Sequence, residues 1–274
     1  MIKTVLASLT GSPRDKAVLE TALDIARPFG ARVEALHVRL DPQSALALAL
    51  HQTSAEIERR ENEQAQKARD NFERAAKDLA SGKEAGGSAP DLKWRAVEGI
   101  DLLETIKLGR LSDLVVTARE HLVPGRVAEL VMRIGRPVLV APEKIVHDIG
   151  GHIAFAWKDG AEAARALTAA MPFLLKAKSV KLISIVENPL DKDAQKYALQ
   201  AAEAALAAHG VRAEGLLLDG QNDPGGAIKS AAYNANCTMI AMGAYGHSRL
   251  REYVFGGVTR EMLKECALPV LMFH

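Results

Sequence analysis

The sequence predicts an α/β fold built twice: two domains, each a five-stranded parallel sheet with helices on both faces. Three observations predict it. Short apolar runs alternate with helical patterns along the chain, the arrangement that buries a parallel sheet on both faces. The two halves repeat each other: VLASLTGSPRDKAVLETAL from Val5 overlays IAFAWKDGAEAARALTAAM from Ile153, DLVVTA from Asp113 overlays TMIAMG from Thr238, and GRPVLVAP from Gly135 overlays ALPVLMFH from Ala267. A repeat this long marks duplicated domains, because solenoid units are shorter. Finally, a glycine-rich stretch, GAYGHSRLREYVFGGVT from Gly243 to Thr259, stands between an apolar strand and a short helical pattern.

In the first half, Val5 to Leu9 is an apolar strand, and the turn Gly11-Ser12-Pro13 leads into a helix that runs to about Phe29. Val18, Leu19, Ala22 and Ile25 recur at helical spacing, and Gly30 ends the helix. Val33 to Val38 is the second strand. Pro42 opens a long helical region, broken near Gln52-Thr53, whose second part, Ala55 to Leu79, is rich in Glu, Arg, Lys, Ala and Gln. Ser81 to Pro90 is a Gly/Ser loop. Strand Leu92 to Val97, helix Asp101 to Leu108, strand Leu114 to Thr117, a helix from Gly125 to Ile134 and strand Val138 to Val140 follow.

Pro142 to Gly150 reads as a linker, so the domains are expected at 1–142 and 151–274. The second half repeats the order: strand Ile153 to Trp157, helix Ala161 to Leu175, strand Val180 to Val186, and helix Asp191 to Ala208 ended by Gly210. Strand Val211 to Leu218, helix Gly226 to Asn234, strand Thr238 to Met242, the glycine loop, helix Val258 to Glu265 and strand Val270 to Phe273 complete it. The matching Pro-Val-Leu strands around Val138 and Val270 are expected to pair across a pseudo-twofold axis.

Spacing shows where the halves differ. Val5 to Leu114 spans 109 residues and Ile153 to Met239 spans 86, an excess of 23 that falls between Pro42 and Pro90 and marks an inserted helix near 42–81. Leu114 to Pro137 spans 23 residues and Met239 to Pro269 spans 30, so the first half lacks 7 residues of the glycine loop.

Composition sets the outer bounds. A chain of 274 residues is natural for two domains, and 48% hydrophobic content suffices for ordinary cores. The net charge of +1 gives no electrostatic case for nucleic acid or an anionic membrane, and 4% aromatics leaves few base-stacking platforms. Cys237 and Cys266 have neither metal spacing nor a disulfide framework and read as core thiols in a reducing compartment. With no signal-peptide pattern in MIKTVLASLTGS and no apolar run of membrane-span length, a soluble cytoplasmic protein is expected.

Glycines stand at Gly243, Gly246, Gly256 and Gly257. Such a loop lets backbone N–H groups approach a phosphate at the positive end of a helix. It is neither G-x-x-x-x-G-K-[ST] nor G-x-G-x-x-G. On the strength of the duplication and of MGAYGHSRLREYVFGGVTREML, Met242 to Leu263, the chain resembles the universal stress protein family in its tandem form. The resemblance covers nearly the whole chain. The family's nucleotide-binding members have a G-x2-G-x9-G-[ST] pattern, and Gly243, Gly246 and Gly256 fit it, with Gly257 where Ser or Thr is usual.

The resemblance implies two Rossmann-like or flavodoxin-like domains of the adenine nucleotide alpha hydrolase type, and an ATP-like ligand in the second domain only. It implies that Met242, Gly243, Gly246, His247, Gly256, Gly257 and Val258 lie at the phosphates, mostly through backbone N–H, and that Ile185 packs near the adenine. Where the family often has Asp after the first strand, Lys158 stands here with Asp159 beside it. Lysine cannot accept a hydrogen bond; it pairs either with a phosphate or with Asp159. In the first half Thr10, Thr117-Ala118 and Gly125-Arg126 replace the corresponding residues, with Arg126 able to fill the anion site itself, so no nucleotide site is expected in 1–142.

Each residue also has a plainer role. His247, Ser248, Arg249 and Arg251 fit a solvated loop as well as a ligand contact, Trp157 fits a core, and Glu58 and Glu61 fit a solvated helix face. The inserted helix is either a lid or partner surface, or a helix packed on its own sheet. No nucleophile–base–orienter set is present and no metal is required. Two functions follow: a non-catalytic stress-response protein binding an adenine nucleotide, with slow ATP hydrolysis left open, or a nucleotide-independent scaffold acting through the inserted helix and dimer surfaces. The expected partners are a small ligand and a second copy of the chain, without nucleic acid or membrane.

Overall fold

Ten strands and eight helices appear in the alternating order that the sequence predicts, in a computed structural model that describes residues 1–41, 53–81, 90–119, 125–219, 223–245 and 257–274. The chain forms two compact units. One comprises 1–136 with 143–145, the other 137–142 with 146–274.

In the first unit β1 (Thr4–Leu9), β2 (Arg32–Leu40), β3 (Leu92–Gly99) and β4 (Leu114–Ala118) form a parallel sheet in the order β3-β2-β1-β4. The central strands are buried nearly throughout, as strands covered on both faces must be, and the edge strand β3 is half-exposed. Helix α1 (Asp15–Ala26) continues into a 3-10 turn, Arg27–Phe29, that ends at Gly30 with φ 58°. That left-handed position suits glycine, which has no Cβ to clash.

The inserted helix α2 (Ser54–Ala80) is 27 residues long and packs against α1 and β2. A capping box starts it: the Thr53 hydroxyl accepts from the Glu56 amide at 3.3 Å, and the Glu56 carboxylate accepts from the Thr53 amide at 2.9 Å. Ile57, Glu61 and Ala68 are its buried face, and its backbone at Gln64 leaves no room for a Cβ at Gly11. Phe72 packs at 5.4 Å from the Trp94 ring, with Arg69 stacked over both. This helix therefore packs on its own unit. Glu61 departs from its expected solvated place: it is buried, accepts the Leu40 amide at 2.8 Å, and so closes the end of β2. The expected helical segment at 42–52 lies outside the described residues. Helices α3 (Asp101–Gly109) and α4 (Arg126–Ile134) complete this unit.

The second unit has the order β5-β10-β9-β6-β7-β8, with β5 (Val138–Ala141), β6 (His152–Ala156), β7 (Ser179–Val186), β8 (Ala213–Asp219), β9 (Met239–Gly243) and β10 (Val270–Phe273). All neighbours are parallel except β5 and β10, which pair antiparallel with Val140, Leu139 and Val138 opposite Val270, Leu271 and Met272. The fifth strand of the first half thus belongs to the second unit's sheet, an addition to five parallel strands from the second half. Helices α5 (Ala161–Leu174), α6 (Lys192–Ala208), α7 (Pro224–Asn234) and α8 (Gly257–Lys264) connect the strands. Cys237 and Cys266 are free and buried. Among the described residues no helix is long and apolar enough to cross a membrane.

Candidate functional site

In an open α/β sheet a ligand binds outside the carboxyl ends of the strands, where successive connections leave one strand in opposite directions. In the first unit that place lies between β1 and β4, and in the second between β6 and β9.

The first crevice is filled by Arg126. Its Nε donates to Asp101 Oδ2 at 2.5 Å, its Nη1 to Thr117 Oγ1 at 2.9 Å and its Nη2 to Ser8 Oγ at 2.9 Å, and only 10% of the side chain is exposed. A planar fork of five N–H groups suits three acceptors on three elements. Gly125, with φ 89°, turns the chain so that α4 starts with this arginine. Thr10, at the position after β1, is occupied locally: its amide donates to Asp15 Oδ1 at 3.0 Å, and the Gly11 amide donates to Asp15 Oδ2 at 2.8 Å. Burial pushes the Asp15 carboxyl above its ordinary value, and these amides, His37 and Ser12 pull it back only in part.

The second crevice is built differently. Met242 and Gly243 end β9, with Met242 opposite Ala156 of β6 and Gly243 opposite Phe273 of β10. Met242 is buried, and Gly243 lies so close to α5 that a Cβ would stand 2.8 Å from the Glu162 carbonyl carbon and 2.9 Å from the Ala163 amide nitrogen. Glycine here brings the first turn of α5, which has no side-chain cap, against the end of β9. Gly257 opens α8, the counterpart of Arg126 at the start of α4, and no atom of the described residues stands within 4 Å of where its Cβ would be. Val258 follows, half-buried. The first amides of α8 lack intrahelical partners and lie at the positive end of the helix.

Ile185 is buried on β7, opposite Leu218 of β8. Lys158 is exposed just past β6, and its partner is Glu187, at 2.7 Å between Nζ and Oε1, in place of the expected Asp159. Strand pairing explains the choice: the Trp157 amide donates to the Ile183 carbonyl at 2.7 Å, which carries the β6 edge alongside β7. Trp157 is half-buried against Phe155, and its indole Nε1 has no partner among the described residues. Gly246, His247, Ser248, Arg249, Arg251 and Gly256 lie outside the described residues.

The structure thus brings Met242, Gly243, Lys158 and Ile185 to one edge of three adjacent strands, with Gly257 and Val258 opening the helix that follows β9. Two residues there escaped sequence reading. Glu187 is one, readable as the first carboxylate after the second strand of the unit. Tyr245 is the other; it has φ 59°, an uncommon backbone state for a bulky side chain, and its ring meets His274 edge-on at 6.5 Å. Among the described residues no group of three His, Cys, Asp or Glu gathers as a metal site. The donor set, amides at helix starts beside glycines, fits phosphate oxygens.

A family model described as the universal stress protein family matches residues 1–141 and 154–274. A universal stress protein of Synechocystis is 27% identical over 220 residues, covering 76% of this chain and 75% of that protein. The crystal structure of a universal stress protein from Archaeoglobus fulgidus superposes with a TM-score of 0.71 at 18% identity, covering 98% of this chain and 97% of that one. A functionally unknown protein from Pseudomonas aeruginosa gives 0.61 at 15% identity, covering 99% and 92%. These two structural likenesses establish the fold.

Proposed function

The chain belongs to the universal stress protein family, and on that premise we propose that it is a non-catalytic stress-response protein of the cytoplasm whose second half binds an adenine nucleotide, ATP in particular. One observation carries the reading. At matching helix starts, the first unit places Arg126 with its guanidinium filling the crevice, and the second places Gly257 with no side chain and no described residue within 4 Å of its Cβ position. A phosphate needs the second arrangement, and Gly243 with the α8 amides supplies donors for it. Lys158, Ile185, Met242, Gly246, His247, Gly256 and Val258 complete the proposed binding set.

Mass spectrometry of ligand released from the purified protein, with calorimetry against ATP, tests this. Bound nucleotide or a saturable heat is the expected result, abolished by Gly246→Val or Gly256→Val. Absence of nucleotide, heat and thermal shift at millimolar ATP would overturn the reading in favour of a scaffold. The observation favouring a scaffold is α2, whose long charged face is exposed over most of its 27 residues. Under that reading, deletion of Ala55 to Leu79 changes the size of the assembly.

A further inference from the structure

We propose that Glu203 closes the outer edge of β8, and that without it this edge pairs, strand to strand, with the β8 of a second copy of the chain. The inference stands apart from the nucleotide reading and does not depend on it.

The edge needs closing. β7 pairs with one side of β8, and among the described residues no strand pairs with the other. Such a side presents unpaired amides and carbonyls, a template for a further strand. β3, the edge of the first unit, meets the problem with charge: Lys93, Arg95 and Glu98 are exposed along it and paired with Asp91, Glu34 and Arg39. Charged side chains of this kind keep a foreign strand away. β8 has no such run. Its charges, Glu214 and Asp219, stand toward its ends, and Gly215, Leu216, Leu217 and Leu218 between them are uncharged and half-buried.

The closure comes from helix α6. Glu203, half-buried there, accepts from the Gly215 amide at 2.6 Å between Oε1 and the nitrogen. That amide is spent on a helix side chain, so it serves no ladder. A Cβ at residue 215 would stand 2.8 Å from the carboxyl carbon of Glu203 and 2.9 Å from each of its oxygens, so a glycine is what leaves the carboxylate its place. Backbone groups alternate sides along a strand, and Leu217 faces the same way as Gly215. An incoming strand must bond to both. At Gly215 it finds the donor taken and a side chain in its path. A second copy is the partner because an antiparallel two-fold pairing sets this edge against itself and covers the same leucines on each side.

Light scattering on the full chain tests this, as mass against concentration for wild type, Glu203→Ala, Glu203→Asp, Glu203→Gln and Gly215→Ala, with melting curves to confirm folding. Three variants open the edge by different routes: alanine removes the carboxylate, aspartate withdraws it from reach, and a methyl group at residue 215 displaces it. Each is expected to rise with concentration to about twice the wild-type mass. Hydrogen exchange at the Leu217 amide should slow roughly tenfold as it does so. Glu203→Gln keeps an acceptor on the Gly215 amide and stays at the wild-type mass. An opening variant that fails to fold leaves the other two to decide. Wild-type mass in the folded opening variants, a rise with Leu217 exchange unchanged, or an equal rise in Glu203→Gln would overturn the assignment.

Discussion

Arg126 lays its guanidinium against Asp101 in the first unit, with 2.5 Å between Nε and Oδ2, at the helix start where the second unit has Gly257 and no side chain. One residue at the start of a helix separates a crevice closed from within by a guanidinium from one whose helix start carries no side chain. The Asp101 carboxylate is only partly exposed, so removing the cation strands a carboxylate and two hydroxyls that have lost their donor.

Arg126→Ala is therefore expected to lower stability by about 2 kcal/mol, a buried-pair loss discounted for the water around Asp101. Arg126→Lys keeps the charge but loses the fork, and falls between the two. Urea unfolding midpoints read both. A loss under about 0.5 kcal/mol for the alanine variant would show that the fork contributes no more than an ordinary surface pair.

Gly257→Ser is expected to tighten ATP binding roughly fivefold, by returning a hydroxyl donor to the phosphate end; one hydrogen bond is worth on the order of 1 kcal/mol net. A Cβ there meets none of the described residues within 4 Å, and serine favours a helix start more than glycine does. Equilibrium dialysis checks it. Unchanged affinity would place the phosphates away from the start of α8.

Gly243→Ala should act in the opposite way. Its Cβ would meet the backbone of Glu162 and Ala163 at 2.8–2.9 Å, and backbone cannot swing aside as a side chain does. A cost of about 1–3 kcal/mol is expected, with slower association of α5 and β9 visible as weaker amide protection there. An unshifted melting temperature would mean that the first turn of α5 yields easily.

Asp15 predicts a pH dependence. Burial holds its carboxyl above the ordinary value of 3.8 despite the Thr10 and Gly11 amides and His37. The native state then binds the proton more tightly than the unfolded chain. Stability from this group is fully present below the unfolded value and is lost as pH rises through the folded one. Relative to Asp15→Asn, wild-type stability should fall as pH rises from about 3.8. A difference that grows with pH would show that the amides outweigh burial.

Glu61→Ala should loosen α2, because the Leu40 amide and the Arg60 side chain lose a buried acceptor. About 1–2 kcal/mol is expected, with faster amide exchange across Ser54–Ala80. Glu61→Gln, which retains an acceptor, should cost less; equal losses would assign the effect to charge instead.

Local pattern carried the fold, and long-range contact carried what it missed. Apolar periodicity placed strands such as Val270–Phe273 and helices such as Ala161–Leu174, because burial on a sheet leaves its mark in adjacent residues. The pairing of β5 with β10 was readable from the matching Pro-Val-Leu runs. Glu61 was not readable: a carboxylate in a charged helix looks the same whether it meets water or the end of a strand. Lys158 misled for a related reason. Its neighbour in sequence is Asp159, but parallel pairing of β6 and β7 brings Glu187, 29 residues on, to its ammonium. The glycine spacing marked the edge of β9 and the start of α8 correctly, and its middle, Gly246 to Gly256, lies outside the described residues.

The antiparallel seam of β5 with β10 has a consequence during synthesis. β5 leaves the ribosome about 130 residues before β10, an interval of roughly ten seconds or more at ordinary elongation rates. Throughout that time the Val138–Ala141 ladder has one side without its final partner. On a polysome, nascent chains side by side would present the same unfinished edge to one another, so chaperone engagement of the half-made protein is expected to peak after β5 emerges and to end when β10 docks.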